Sequence, residues 1–182
     1  ASRETEIQEL LSHSGKAVIA SDIASAKWMK LISNCTTLAT SAIFGVPIAE
    51  AANNPDMRQI MLRSGSEALV AGQETGFHIE PIFGLRESDV QNTNRLVELL
   101  LDKLTTAFIL PETITTILQD HIKNRKSEVE DINGWVVEKL KKLDMKAPVN
   151  TAIIKISAQI KRGELQPSPS NLELLKALLA ED

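Results

Sequence analysis

The sequence predicts an all-α fold built around one long helix near the N-terminus. Residues that start and end helices recur along the chain, and the clearest pair is Asp22 followed by Gly45. Apolar residues repeat at helical spacing, most regularly over residues 129–143. The one strand candidate is the apolar run AVIA at residues 17–20. A helical bundle is therefore expected, with a short strand before it.

Local signals define the elements of the first half. Asp22 has the side chain of a helix N-cap, while Gly45 and Pro47 are typical of a helix end. Asn54 followed by Pro55 indicates a helix start, because proline is tolerated in the first turn. The predicted elements are a helix over residues 5–14, the strand candidate, helices over 22–44 and 54–76, and a loop over 76–85.

Residues that start and end helices also recur in the second half of the chain. Capping-box patterns begin at Ser88 and Ser127, and Pro111 starts a helix between them. Pro148 breaks the chain, and Ser170 caps a last short helix. The predicted elements are helices over residues 88–108, 111–124, 127–143 and 153–163, a linker over 166–170, and the final helix.

The strand candidate predicts the domain organisation. A single strand cannot satisfy its backbone hydrogen bonds alone. Residues 1–20 are therefore interpreted as the end of a sheet-containing domain, and residues 21–182 as a helical domain. The chain is expected to be a fragment whose other domain lies upstream.

Composition excludes some partners. The chain carries 20 basic and 24 acidic residues, a net charge of −4, so neither nucleic acid nor an anionic membrane surface is an expected partner. Residues 31–49 are uncharged and nearly long enough to span a membrane. However, hydroxyl, amide, glycine and proline residues interrupt that stretch, so we predict a buried helix of a soluble domain.

The single cysteine, Cys35, cannot form an internal disulfide, which suits a reducing, cytoplasmic location. The first residues show no signal-peptide pattern. The three histidines lie far apart without partners at ligand spacing, so no metal site is predicted. No phosphate-cradling glycine motif occurs. Cys35, Trp28 and Trp135 are interpreted as core residues.

The segment KWMKLISN, residues 27–34, raises a functional question. On a helix, Lys30 and Asn34 lie one turn apart on the same face. The residues alone leave two interpretations: an ordinary surface lysine at a helix start, or a lysine that gives a proton to a bound substrate.

Four passages resemble the C-terminal domain of the ketopantoate reductase (2-dehydropantoate 2-reductase) family. Residues 14–34 end in the family pattern W-x-K-L-x-x-N, and TSAIFGVPIAE at 40–50 resembles the loop that follows it. The most specific passage is TTILQDHIKNRKSEVEDINGWVV at 115–137, and APVNTAI at 147–153 resembles a turn before the final long helix. The resemblance covers about residues 14–162.

The resemblance implies a fold and an activity. It implies a helical bundle of the 6-phosphogluconate dehydrogenase C-terminal-domain-like type, with residues 1–20 as a remnant of a Rossmann domain. Family members reduce a 2-oxo acid with NADPH on the route to pantothenate and coenzyme A. The cofactor is bound mainly by the N-terminal domain, so this fragment alone is expected to be inactive. A small 2-oxo acid, the Rossmann domain and a second copy in a homodimer are the implied partners.

The resemblance also implies residue roles. Lys30 matches the family's general acid, and Glu128 matches a catalytic glutamate that contacts and orients the substrate hydroxyl. Asn34 and Thr116 match substrate-binding positions. Each has an alternative interpretation: a surface lysine, an acid favoured by the helix dipole, a packing amide and a helix-start hydroxyl. Asn133 and Gly134 match an N-G pair that we interpret as helix packing.

One position departs from the family pattern. A second asparagine usually follows four residues after the first, and here Leu38 stands in its place. Thr37, seven residues after Lys30, returns to the same helix face and is a candidate substitute for substrate binding. The change predicts a substrate with a shorter or more apolar tail. The alternative function is a helical dimerisation or interaction module without activity.

Overall fold

The computed structural model describes residues 2–15, 17–91 and 93–181. Within those residues the regular structure is helical, with no strand. The helices are α1 Arg3–Ser12, α2 Ile23–Phe44, α3 Ile48–Asn53, α4 Pro55–Glu74, α5 Glu87–Val90, α6 Leu96–Ala107, α7 Thr116–Ile122, α8 Val129–Lys141, α9 Pro148–Lys161 and α10 Asn171–Ala180, with a 3-10 turn at Thr93–Arg95. The all-α prediction is confirmed.

Helix α2 lies at the centre of the bundle. The Asp22 carboxylate accepts hydrogen bonds from the backbone N–H groups of Ala24 and Ser25, and Gly45 ends the helix at φ +70°. Both predicted boundary residues therefore act as expected. The C-terminal half of α2 is almost completely buried. No helix in the described part of the chain has the length and apolar character needed to cross a membrane.

Hydroxyl groups inside α2 are satisfied within the helix. The side chains of Thr36, Thr37, Thr40 and Ser41 each donate to the backbone carbonyl four residues earlier, at 2.6–2.8 Å. Such bonds remove the cost of burying a hydroxyl group without a partner. The uncharged stretch therefore forms a buried helix, as its composition predicts.

Helices α2 and α4 approach closely because α4 has glycines at the contact. A Cβ atom on Gly65 would lie 2.1 Å from Thr36 Oγ1, and one on Gly72 would lie 1.7 Å from Trp28 Nε1. The Trp28 indole N–H donates to the Ala68 carbonyl at 3.1 Å. Trp28 is buried, which confirms its predicted place in the core.

A buried polar network joins α2, α4, α8 and α9 around Asn150. The Asn150 amide N–H₂ donates to the Ser64 carbonyl at 3.1 Å and to Glu67 at 2.6 Å. Its oxygen accepts from Asn133 of α8 at 2.8 Å and lies 3.0 Å from the Ser64 hydroxyl, which is 2.9 Å from the Cys35 carbonyl. Both amide hydrogens of Asn150 are bonded, and its oxygen accepts the bond from Asn133. Asn133 is a packing residue, as predicted.

The strand prediction at residues 17–20 is wrong. That segment follows α1 without strand structure, and the Gln8 side chain donates to the Ala17 carbonyl at 3.0 Å. A strand needs a neighbouring strand for its hydrogen bonds, and no other strand occurs in the described residues. Helix α1 buries none of its residues. The N-terminal segment is instead a helix followed by an irregular run.

Several predicted boundaries also differ. The helix predicted over 88–108 is divided into α5, the 3-10 turn and α6, and residue 92 lies outside the described residues. Arg86 and Asp89 form the capping box there, so Ser88 does not cap. Neither Ser127 nor Ser170 makes a side-chain cap bond, because α8 begins after Glu128 and Ser170 has helical backbone angles.

The starts of α7 and α9 also differ from the prediction. Helix α7 begins after Thr115, because residues 111–114 form a turn and a connection to α3. Pro148 is the first residue of α9, where proline is tolerated, so it starts a helix and does not break one.

Two other core predictions have different outcomes. Cys35 is completely buried, and burial raises the pKa of its thiol, which confirms its interpretation as an inert core residue. Trp135 is 37% exposed, so its placement in the core is wrong. Its ring nevertheless contacts Trp28, at 4.9 Å between centroids.

Candidate functional site

One stripe of α2 is left open by the bundle. Lys27 and Lys30 are exposed, Asn34 and Leu38 are partly exposed, and the positions between them are mostly buried. These four residues, which we name the open face, follow one another at intervals of three or four residues and therefore lie on one side of the helix. Neither Lys30 nor Asn34 makes a hydrogen bond or ion pair with another described residue. An ammonium and an amide are thus available to a ligand.

Thr37 does not belong to the open face. Its side chain is only 3% exposed, and its hydroxyl donates to the Ser33 carbonyl at 2.8 Å. A substrate contact by Thr37 requires that the residue become accessible, and a hydrogen bond donated to the substrate would also require that the bond to Ser33 be replaced. The proposed substitution for the lost asparagine stays a prediction, and the geometry gives it no support.

Helix α7 begins beside the end of the open face. The buried Thr115 hydroxyl caps α7 through the Leu118 N–H at 3.1 Å and also donates to the Leu38 carbonyl at 3.1 Å. These two bonds fix the first turn of α7 against α2. Thr116 is the first residue of α7 and is exposed. The first turn of α7, which includes Thr116, therefore lies near Leu38, at the end of the stripe opposite Lys27.

Helix α8 lies beside the Lys27 end of the open face. Its Trp135 contacts Trp28, and its Asp131 lines the same hollow as Leu31, so α8 runs antiparallel to α2 here. Glu128, Asp131 and Trp135 are spaced by three and four residues and share one face. Glu128 is exposed at the start of α8 and lies one turn from Asp131, toward the level of Asn34.

Four of the five predicted site residues are at least partly exposed: Lys30 and Asn34 on the open face, Thr116 at the start of α7, and Glu128 directly before α8. We name the region of these four residues the groove. An ammonium and an amide suit a carbonyl oxygen and a carboxylate, and a nearby carboxylate suits a substrate hydroxyl.

An aromatic hollow that the sequence did not predict lies beside Lys27 of the open face. Trp28, Phe77 and Trp135 meet there: the Trp28 and Phe77 rings stack at 5.0 Å between centroids with an angle of 12°. The hollow has a volume of about 380 Å³, and its remaining lining residues are Ala24, Lys27, Leu31 and Asp131. We name it the aromatic hollow. No signal in the sequence indicated the hollow, because its three aromatic residues lie far apart along the chain.

A second polar pair lies away from the groove. His121 Nε2 is 3.0 Å from the Ser157 hydroxyl, and both residues are buried. Burial lowers the pKa of the His121 imidazole, and its Nδ1 atom has no hydrogen-bond partner. Without a group that orients the ring, this pair is not arranged as a nucleophile and base. Among the described residues no group of acidic, histidine or cysteine side chains has the arrangement of a metal site.

Comparison with known families shows which family the chain belongs to. The model for the ketopantoate reductase PanE/ApbA C-terminal domain matches residues 22–162. The chain belongs to this family. The match includes the open face, Thr116 and Glu128, and it confirms the resemblance seen in the sequence. No curated protein sequence matches the chain.

Solved structures show the same fold at low sequence identity. A ketopantoate reductase of the family from Ralstonia eutropha is 19% identical with a TM-score of 0.72, covering 90% of this chain and 50% of its own. A dimeric ketopantoate reductase from Staphylococcus aureus is 17% identical with a TM-score of 0.68, covering 88% and 51%. A D-mandelate dehydrogenase in a ternary structure with NADH and anilino(oxo)acetate is 18% identical with a TM-score of 0.71, covering 87% and 60%. The chain thus spans 50–60% of the length of these proteins.

Proposed function

We propose that this chain is the substrate-binding and catalytic part of an NADPH-dependent 2-oxo acid reductase of the ketopantoate reductase type. The observation that carries the proposal is the open face, where Lys30 and Asn34 lie one turn apart without partners in the described structure. The family match over residues 22–162 supports the reaction class. The nicotinamide dehydrogenases and reductases with this fold support the cofactor class.

The residues of the groove fit the substrate better than the cofactor. They provide an ammonium, an amide, a hydroxyl and a carboxylate, but no glycine-rich loop for phosphates occurs in the sequence. A bound nicotinamide cofactor supplies the hydride for this chemistry. We assign its phosphates to a Rossmann domain upstream, with residues 1–20 as the remnant of that domain. The exposed apolar side chains of Ile7, Leu10, Leu11 and Val18 suit a contact with it.

Lys30 acts on the oxygen of the ketone. As hydride reaches the carbonyl carbon, negative charge grows on that oxygen, and the Lys30 ammonium stabilises it and transfers a proton to it. The products at this site are a 2-hydroxy acid and a neutral lysine, which takes up a proton from solvent. Asn34 and Thr116 hold the substrate by hydrogen bonds, and Glu128 accepts one from a substrate hydroxyl.

The test uses the full-length protein that includes the upstream domain. Lys30→Ala is expected to lower turnover by about 10²–10⁴-fold, the usual contribution of a positioned acid. Lys155→Ala is the matched control, because Lys155 is an exposed lysine on α9 outside the groove. Normal activity in Lys30→Ala, or an equal loss in both variants, would contradict the assigned role.

A helical interaction module without activity is the second candidate, favoured by the exposed apolar side chains near the N-terminus. The gene upstream of residue 1 discriminates between the two. A strand followed by G-x-G-x-x-G there supports the reductase, and its absence supports the module. A homodimer and a cytoplasmic location belong to the reductase proposal, the first in keeping with the dimeric neighbour.

A further inference from the structure

We propose that the aromatic hollow binds the side chain of an aromatic 2-oxo acid and makes such acids the preferred substrates. The inference rests on the proposed function, because the groove is assigned to the oxo acid end of the substrate. The hollow itself is independent of that assignment. Its lining is described above and includes side chains from α2, α8 and the loop after α4.

The walls of the hollow suit a planar apolar group. Trp28 stacks on Phe77 and is tilted by 51° against Trp135, so three aromatic rings pack on one another beside the space. Aromatic rings pair favourably in both arrangements, at centroid distances of about 4.5–7 Å. The hollow's volume of about 380 Å³ falls within the usual range of small-molecule sites, about 300–1,000 Å³.

The walls are held in place by contacts outside the hollow. The Trp28 indole N–H is bonded to the Ala68 carbonyl, and its ring fills the space left by Gly72. The Lys139 ammonium lies 4.7 Å from the centroid of the Trp135 ring. A binding surface fixed before the ligand arrives loses little side-chain entropy on binding.

The hollow borders the open face, because Lys27 belongs to both. Leu31 lines the hollow, and Asn34 of the open face is three residues further along α2; Asp131 lines the hollow, and Glu128 is three residues earlier on α8. Three residues of helix rise about 4.5 Å. A ring joined to the oxo acid through one carbon atom spans a gap of this size. The substrate tail therefore points toward Leu31 when its carbonyl is near Lys30.

The open face favours the same substrate class. Leu31 and Leu38 are apolar and partly exposed on either side of Asn34, so neither neighbouring position offers a hydrogen bond to a polar tail. An apolar tail avoids the loss of hydration that a hydroxyl would suffer there. Lys27 and Asp131 lie at the rim and make no ion pair with each other, so their charged ends remain in water.

Direct binding to the 182-residue chain tests the hollow without the upstream domain. The chain contains two tryptophans, so its ¹⁵N-labelled indole spectrum has two side-chain signals, and both rings line the hollow. Phenylpyruvate is expected to shift the Trp135 signal and to bind about 10–100-fold more tightly than pyruvate, by calorimetry, because it buries a phenyl ring. Equal affinity for the two acids would overturn the inference.

Two variants separate the hollow from general effects on folding. Ala24→Leu fills the hollow from an exposed helical position, so the fold should be unchanged and the preference for phenylpyruvate lost. Phe108→Ala is the control, because it removes an exposed aromatic ring that packs on Phe83 outside the hollow. A preference that survives in Ala24→Leu, or that disappears equally in both, would contradict the site.

Kinetic measurements on the full-length enzyme distinguish a failure of this inference from a failure of the proposed function. We expect kcat/KM for phenylpyruvate to exceed that for pyruvate by about 10–100-fold, and Ala24→Leu to abolish the difference. Equal kcat/KM values in an active enzyme overturn the inference and leave the proposed function intact. No turnover of any 2-oxo acid, with phenylpyruvate binding that Ala24→Leu removes, overturns the proposed function and supports the hollow.

Discussion

Glu67 is the residue whose removal best tests how the site is supported. It lies on α4, yet its carboxylate accepts hydrogen bonds from the backbone N–H groups of Val149 and Asn150, both at 2.9 Å, and from the Asn150 side chain at 2.6 Å. Helix α9 has no side-chain cap of its own. Glu67 therefore caps α9 from a neighbouring helix.

The expected cost of Glu67→Ala follows from these three bonds. Losing a helix cap costs about 1 kcal/mol, and leaving the buried amide of Asn150 with one unsatisfied N–H costs about 1–3 kcal/mol more. We expect the free energy of unfolding to fall by about 2–4 kcal/mol and Tm by roughly 4–16 °C. Because Asn150 also holds Asn133 of α8, the position of Glu128 should become less fixed.

Urea unfolding followed by circular dichroism gives the measurement. Glu74→Ala is the control, because Glu74 is an exposed residue at the end of the same helix. The control should change stability by less than about 0.5 kcal/mol. A loss below about 1 kcal/mol in Glu67→Ala would refute the capping role.

The pH dependence of stability tests the role of Glu67 in a second way. Burial raises the pKa of Glu67 above the ordinary value of 4.5, although the bonds from Asn150 and Val149 oppose the shift. In the folded state the proton is thus held more tightly than in the unfolded state. The contribution of Glu67 to stability should be largest below pH 4.5 and should decrease as the pH rises through the folded-state pKa. The stability difference between wild type and Glu67→Ala is therefore expected to narrow as the pH rises from 4.5 through the folded-state pKa.

Three further predictions concern packing, selectivity and the cofactor. Gly72→Ala should lower the free energy of unfolding by about 1–3 kcal/mol, because the new Cβ overlaps Trp28, whereas Gly15→Ala, with no atom within 4 Å, should have little effect in the same urea titration. Full-length enzyme should accept 2-oxo acids without the distal hydroxyl of ketopantoate, because Leu38 offers no hydrogen bond; a kcat/KM preference for ketopantoate of about 10³-fold over its deoxy analogue would contradict this. The 182-residue chain alone should be folded and largely helical by far-UV circular dichroism, and it should not bind NADPH tightly; tight binding in a titration would show that these residues hold the phosphates themselves.

Much of the candidate site could be predicted from the sequence, because the signals that indicate it are local. A helix cap depends on bonds within two or three residues, so Asp22 and Gly45 predicted the ends of α2 correctly. Helical spacing then placed Lys30 and Asn34 on one face before any packing was known. The family pattern added Thr116 and Glu128, which are more than 80 residues away along the chain.

Tertiary structure decided the features that depend on distant neighbours. Thr37 shares the helical phase of Lys30, but the packing of other helices buries it, and its hydroxyl bonds to Ser33. The run at 17–20 has the composition of a strand, yet a strand forms only where a second strand supplies hydrogen bonds.

The aromatic hollow also depends partly on the sequence alone and partly on the tertiary structure. The sequence determined which chemical groups the chain possesses, where its helices begin and end, and which residues of one helix share a face, because these follow from backbone geometry over a few residues. Only the fold could bring Trp28, Phe77 and Trp135 together, since their contacts join residues far apart in the chain. Gly72 of α4 leaves the space that the Trp28 ring fills. Helix packing, which depends on the shapes of all the side chains at once, therefore decided what surrounds Lys30.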